Sequence, residues 1–121
     1  MTDVPHPDNA TDTTLMRDLS WSSAEKAIAH QVFDRALQRE LEAVITEAKN
    51  MAAKVEQPSD LWDLESYLTR RRQEIDCEYD YRYSVLPQVF GNLIRRGLVR
   101  EEELGGLAED KLRYVRLYAA L

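Results

Sequence analysis

SSAEKAIAHQVFDRALQRELEAVITEAKNMAAKV, residues 22–55, decides the fold. Its apolar positions are Ile28, Val32, Phe33, Ala36, Leu37, Leu41, Val44, Ile45, Ala48, Met51, Ala52 and Val55. Steps of three and four make one continuous stripe along a helix. Glu25, Lys26, Arg35, Arg39, Glu40, Glu42, Glu47 and Lys54 are read as lying largely off that stripe. Ser22 followed by Glu25 forms a capping box, with Trp21 as the apolar residue before the cap. No Gly or Pro intervenes before Pro58. About 34 residues at ~1.5 Å rise span roughly 50 Å. A compact globule of about 100 residues has a radius of gyration of only ~13 Å. The stripe outreaches what the rest of the chain can cover, and apolar surface left in water is costly. A second copy is the natural cover, so the expectation is an elongated homodimer built on this helix. A break near its middle, giving a folded-back monomer, is the alternative.

Outward from that helix, Gln57-Pro58-Ser59-Asp60 stops it and caps the next. The second helix carries Leu61, Leu64, Leu68, Ile75 and Tyr79 on one face, and Arg72 falls in the same spacing. A third is expected to be capped by Ser84, with Pro87 in its first turn and Val85, Leu86, Val89, Phe90, Leu93 and Ile94 as its apolar face. Gly97 suits its C-terminal cap. A short acidic turn, Glu101 to Leu104, precedes Gly105-Gly106 and a last helix from about Leu107. The fold class is all-α, a long helix followed by shorter ones. Residues 1–20, with two prolines and many Asp and Thr, are expected to be a disordered arm, and 21–121 a single helical domain.

The formal net charge of −6 makes nucleic acid and anionic membrane surfaces poor partners. No apolar run approaches the ~20 residues of a membrane span. The polar, acidic start does not read as a signal peptide, so none is expected, and one cysteine, Cys77, fits a reducing compartment. A cytoplasmic location is expected.

Catalytic chemistry finds little to work with. His6 lies between prolines, and His30 has no metal-ligand spacing beside it. Cys77 has no activating His. Phosphate loops, CxxC and HExxH are absent. Asp76 and Asp80 stand at i,i+4, where a salt-bridged face outweighs a metal site. No metal and no cofactor is expected, and the chain is read as a binder of another protein. Arg70-Arg71-Arg72 is read as a solvated face with ion pairs, or as a protein-docking arginine. Trp62 sits off the centre of the second helix's stripe and is the strongest interaction candidate, since Trp and Arg are enriched at binding hot spots. Packing at the edge of a dimer seam is its other reading.

DLWDLESYLTRRRQEIDCEYDYR, Asp60 to Arg82, resembles the fluorescence recovery proteins of cyanobacteria. So do Trp21-Ser22, Gln38-Arg39-Glu40-Leu41, Gly97-Leu98-Val99, Glu102-Glu103-Leu104, Leu107-Ala108 and Asp110-Lys111. The resemblance runs from Trp21 to Leu121. It implies an all-helical dimer, without pigment or catalysis. It implies a partner, the photoactivated orange carotenoid protein, gripped chiefly at its C-terminal domain or a related domain. The family speeds that partner's return from the red, quenching form to the orange form and helps detach it from the phycobilisome. That would place it at the cytoplasmic face of thylakoids. The resemblance assigns Trp62 and Arg72 to partner binding and Leu61 to the dimer contact. Glu65 and Ser66 stand where well-known members have His and Asp, and Gln88 where a family Phe touches the partner. With Phe90 they complete the expected partner-binding set. Leu37, Leu41, Val44, Ile45, Leu61 and Trp62 form the expected dimer interface. The departures at Glu65, Ser66 and Gln88 keep a second reading open, a structural helical dimer serving another partner.

Overall fold

A computed structural model describes residues 15–121, and every regular element among them is helical. Helix α1 spans Ser23–Ala53, α2 Pro58–Glu78, α3 Leu86–Arg95 and α4 Glu109–Ala119. The long helix is unbroken, so the folded-back alternative falls. Most of the expected N-terminal arm lies outside the described residues. Its last part holds one turn of 3-10 helix, Met16–Asp18.

Local chemistry sets the helix ends. At the start of α1 the Glu25 N–H donates to Ser22 Oγ at 3.1 Å, and the Ser22 N–H donates to Glu25 Oε1 at 2.9 Å. This is the capping box read from the sequence. Asp60 accepts from the N–H groups of Glu56 and Gln57, both at 3.1 Å, and so stabilises the turn into α2. Gly97, at φ 79°, ends α3. The Leu98 N–H reaches the Leu93 carbonyl and the Gly97 N–H reaches that of Ile94, both at 2.9 Å. These two bonds define a Schellman cap.

One boundary differs from expectation. Ser84 does not cap α3; the N-cap position is Val85, which has no capping side chain. Rings laid across α1 hold the preceding segment. Tyr79 and Tyr81 stand edge-on to Phe33, at 5.5 and 4.8 Å between centroids, and Tyr83 lies 5.4 Å from Trp21. The start of α3 is set by this packing and by the Leu86 N–H bonding to the Arg82 carbonyl at 3.0 Å.

The core is confined to one end of the molecule. Ala29, Val32, Phe33 and Ala36 of α1 pack with Leu86, Val89, Phe90 and Leu93 of α3. Val99, Leu104, Leu107, Leu112 and Val115 complete it. A Cβ on Gly91 would lie 2.5 Å from Tyr118 Cβ and 2.7 Å from the Val115 carbonyl, so glycine is what lets α3 cross α4 this closely. We call this end the head. The rest of α1 and α2 form an antiparallel hairpin, the stem. From Leu41 to Glu78 no residue is buried. The stem is two helices without a core of their own.

Candidate protein-docking surface

Burial along α2 fixes which way each side chain faces. Its half-buried residues are Asp60, Leu64, Tyr67, Arg71, Ile75 and Glu78, at steps of three and four. That stripe lies against α1, as the contact of Arg71 with Glu40 shows. It is rotated from the expected face: Leu61 and Leu68 are not on it but 48% and 41% exposed. They line up with Arg72 at steps of seven and four, turned roughly 80° from the contact stripe. On α1, Leu37, Val44, Ala48 and Met51 are half-buried toward α2, while Leu41 and Ile45 are exposed. The exposed pair is turned from its contact stripe in the same rotational sense. In an antiparallel pair, equal senses lead to the same side. Leu41, Ile45, Leu61, Leu68 and Arg72 therefore share one side of the stem.

Trp62 points directly away from α1, about 180° from the contact stripe, and is 62% exposed. Neither it nor Arg72 makes a side-chain hydrogen bond, ion pair or ring contact with another described residue. Glu65 and Ser66, one turn on, are also exposed, and Thr69 Oγ1 donates to Glu65 Oε2 at 2.8 Å. Gln88, on α3, is half-buried.

Phe90 is a correction. It is fully buried in the head and offers no surface to a partner. Its spacing with Leu86, Val89 and Leu93 already placed it on the apolar face of α3, and that face is the core.

Sequence reading missed the residue at the junction of stem and head. Glu40, expected off the stripe, is only 1% exposed. Its carboxylate receives Arg71 from α2 and Arg96 from the end of α3, the latter at 2.6 Å, and the Tyr79 hydroxyl donates to it at 2.9 Å. Arg71 also pairs with Glu74 at 2.5 Å and Arg96 with Glu78 at 2.6 Å. Burial alone would raise the Glu40 pKa. The hydrogen bonds from Arg96, Arg71 and Tyr79 outweigh it and hold the carboxyl at about 2. Burial and the bond to Glu40 push the Tyr79 hydroxyl well above its ordinary value. Arg71 is thus part of a buried cluster, not of the solvated face expected for the triple arginine.

A second buried carboxylate ties the head together. Glu25 Oε2 accepts from the Ala108 N–H at 2.8 Å, and Lys111 Nζ lies 3.2 Å from Oε1. Glu25 therefore serves the first turn of α1 and the first turn of α4 at once. Burial raises its pKa, but the Ser22 and Ala108 N–H groups and Lys111 bring it down to about 2.

The remaining candidates are solvated. His30 pairs with Asp34 at 3.1 Å on the surface, and Cys77 is exposed. Asp80 lies beyond the end of α2 and binds Arg82 at 2.8 Å, so the Asp76/Asp80 pair is not a helical pair. No group of metal-ligating side chains occurs among the described residues. What stands open on the stem is an aromatic ring, a guanidinium and a row of aliphatic side chains. Such side chains are the kinds enriched at protein-binding surfaces.

Known proteins bear on the same segments. Residues 21–119 match the family described as photoprotection regulator fluorescence recovery protein. A fluorescence recovery protein of Synechocystis sp. is 43% identical over 101 residues, which cover 84% of this chain and 93% of that protein. The solved structure of the Synechocystis protein superposes with a TM-score of 0.80 at 42% identity, covering 84% of this chain and all of that one. The Fremyella diplosiphon fluorescence recovery protein superposes equally, with a TM-score of 0.80 at 38% identity and the same 84% of this chain covered. From Trp21 onward this chain belongs to the fluorescence recovery protein family of non-enzymatic photoprotection regulators.

Proposed function

We propose that this protein acts as a homodimer that docks on the photoactivated orange carotenoid protein through the stem. Trp62 and Arg72 contact the partner's C-terminal domain, exposed when its two domains separate. The dimer then accelerates the return from red to orange and ends quenching at the phycobilisome. The observation that carries the reading is the exposure of Trp62 and Arg72 on α2 without a partner among the described residues. An exposed Trp and an uncommitted guanidinium on a helix are hot-spot chemistry. The homodimer follows from the stem. Leu41, Ile45, Leu61 and Leu68 make an apolar row on one side of a hairpin with no buried residue, and a second copy covers it.

Binding shifts populations only by differential affinity for the two states. Acceleration requires more: the grip must tighten as the domains approach closure. No described helix is long and apolar enough to cross a membrane, so association with thylakoids would run through the phycobilisome.

The test is red-to-orange recovery after a light pulse, with and without this protein. Acceleration by wild type and its loss, about tenfold or more, in Trp62→Ala and Arg72→Leu are expected. No acceleration by wild type, or undiminished acceleration by both variants, would overturn the assignment. Glu65 and Ser66 favour one second reading, the same dimer serving a different protein. They are exposed one turn from Trp62 and change the chemistry of that surface.

A further inference from the structure

Three helices meet at one carboxylate. Glu40 comes from the middle of α1, Arg71 and Tyr79 from the far half and end of α2, and Arg96 from the cap of α3. Glu78 closes the ring by pairing with Arg96 at 2.6 Å. Beyond this junction the stem has no buried residue, so α2 is fixed relative to the head by the contacts at Glu40 together with the Tyr79 ring packed edge-on against Phe33. An apolar contact could bury the same area, but burial is non-directional. Charge-assisted bonds to a planar guanidinium set an angle as well as a distance.

The angle matters because Arg71 precedes Arg72. Successive helix positions turn by about 100°. With Arg71 drawn into Glu40, Arg72 is held on the open side of the stem, in line with Leu61 and Leu68. Arg96 fixes the same carboxylate to the end of α3, the helix that carries Gln88. One junction therefore sets both the roll of α2 and its distance from the head.

We infer that Glu40 is a positioning residue: it clamps Arg71 and Arg96 so that Arg72 on the stem and the exposed surface of the head present a fixed geometry to the partner. The clamp stands on the ion pairs. Its purpose rests on the docking role proposed above for Arg72.

Two measurements separate these parts. The native Cys77, exposed near the end of α2, and Glu102→Cys, exposed on the head, take a pair of nitroxide labels. Labelled protein diluted into excess unlabelled protein gives a stem-to-head distance distribution by pulsed dipolar spectroscopy, with no partner present. It is narrow in the otherwise native chain. Glu40→Gln, folded by circular dichroism, gives one roughly twofold wider or shifted, because two guanidiniums no longer share one charge. An unchanged distribution overturns the clamp. Should Glu40→Gln not fold, Arg71→Met removes only the arm from α2 and is read the same way.

The second measurement is the recovery assay. Folded Glu40→Gln loses about tenfold in acceleration, but adds no further loss in an Arg72→Leu background, as expected for residues acting through one another. Fully additive losses would assign Glu40 a general structural role and overturn the positioning. If wild type accelerates nothing, the docking role falls, and the distance distribution still decides the clamp.

Discussion

Lowering the pH should unfold this protein through two named carboxylates. Glu40 and Glu25 each fall from an ordinary 4.5 to about 2 in the folded chain. A group whose pKa is depressed by folding contributes stability above its unfolded value and loses it as pH falls toward its folded value. The window is therefore about pH 4.5 down to 2. A depression of roughly two and a half units corresponds to about 3 kcal/mol for each group at neutral pH. Together they amount to a large part of the ~5–15 kcal/mol that holds a domain folded. Glu103, lowered despite its burial by Arg39 and the Arg100 N–H, acts in the same direction.

The assay is urea unfolding followed by circular dichroism, at one protein concentration because dimerisation would make stability concentration-dependent. Wild type should be level from about pH 7 to 5 and then lose several kcal/mol by about pH 3. Glu40→Gln should start about 3 kcal/mol lower, since removing one member of a buried ionic cluster leaves the others uncompensated. Its loss between pH 5 and 3 should be smaller by roughly half, with Glu25 and Glu103 supplying the rest. A Glu40→Gln curve parallel to wild type, merely displaced downward, would refute the assignment of the acid transition to this carboxylate.

Other outcomes follow from single residues. Leu61→Glu puts a charge on the apolar row of the stem and should yield a monomer by light scattering, whereas a monomeric wild type would refute the dimer itself. Gly91→Ala forces a methyl into the α3–α4 crossing, against Tyr118 and the Val115 carbonyl, and should cost about 1–3 kcal/mol in urea unfolding. Gly97→Ala has open space around its Cβ but keeps φ at 79°, so it should cost only about 1–2 kcal/mol, through backbone strain.

The long helix was legible because nothing competes with its pattern. The capping box at Ser22 and the unbroken three-four spacing predict a helix over 22–55, and the structure has Ser23–Ala53. Gly97 was legible for the same local reason. Glu40 was not, because a hydrophobic pattern counts every glutamate as polar. What turns it inward are Arg71 and Arg96, 31 and 56 residues away, and no local spacing announces them. The face of α2 was misjudged on the same ground: Arg71 occupies the contact stripe and Leu61 and Leu68 flank it, so counting leucines centred the stripe on the wrong residues. Ser84 failed as a cap because rings packed on α1 position the chain before α3. Gly91 did leave a signal, an isolated glycine inside an apolar helix, which marks close backbone approach.

The stem's lack of a core ties assembly to function. A monomer would expose Leu41, Ile45, Leu61 and Leu68 to water, at roughly 25 cal/mol for each Å² of apolar surface. If the row is covered by a second copy, Arg72, which continues it, stands at the margin of the seam, and Trp62 projects from the opposite side of α2 to the α1 contact. The two docking candidates then report on different surfaces. Trp62→Ala would remove contact area and leave the stem's geometry alone. Arg72→Leu would extend the apolar row and could strengthen the dimer while weakening docking. Comparing dimer dissociation with recovery rate across the two variants therefore tests whether one surface does both jobs. A rise in dimer dissociation together with a fall in recovery in Trp62→Ala would place Trp62 in the seam. A fall of recovery alone would place it on the partner.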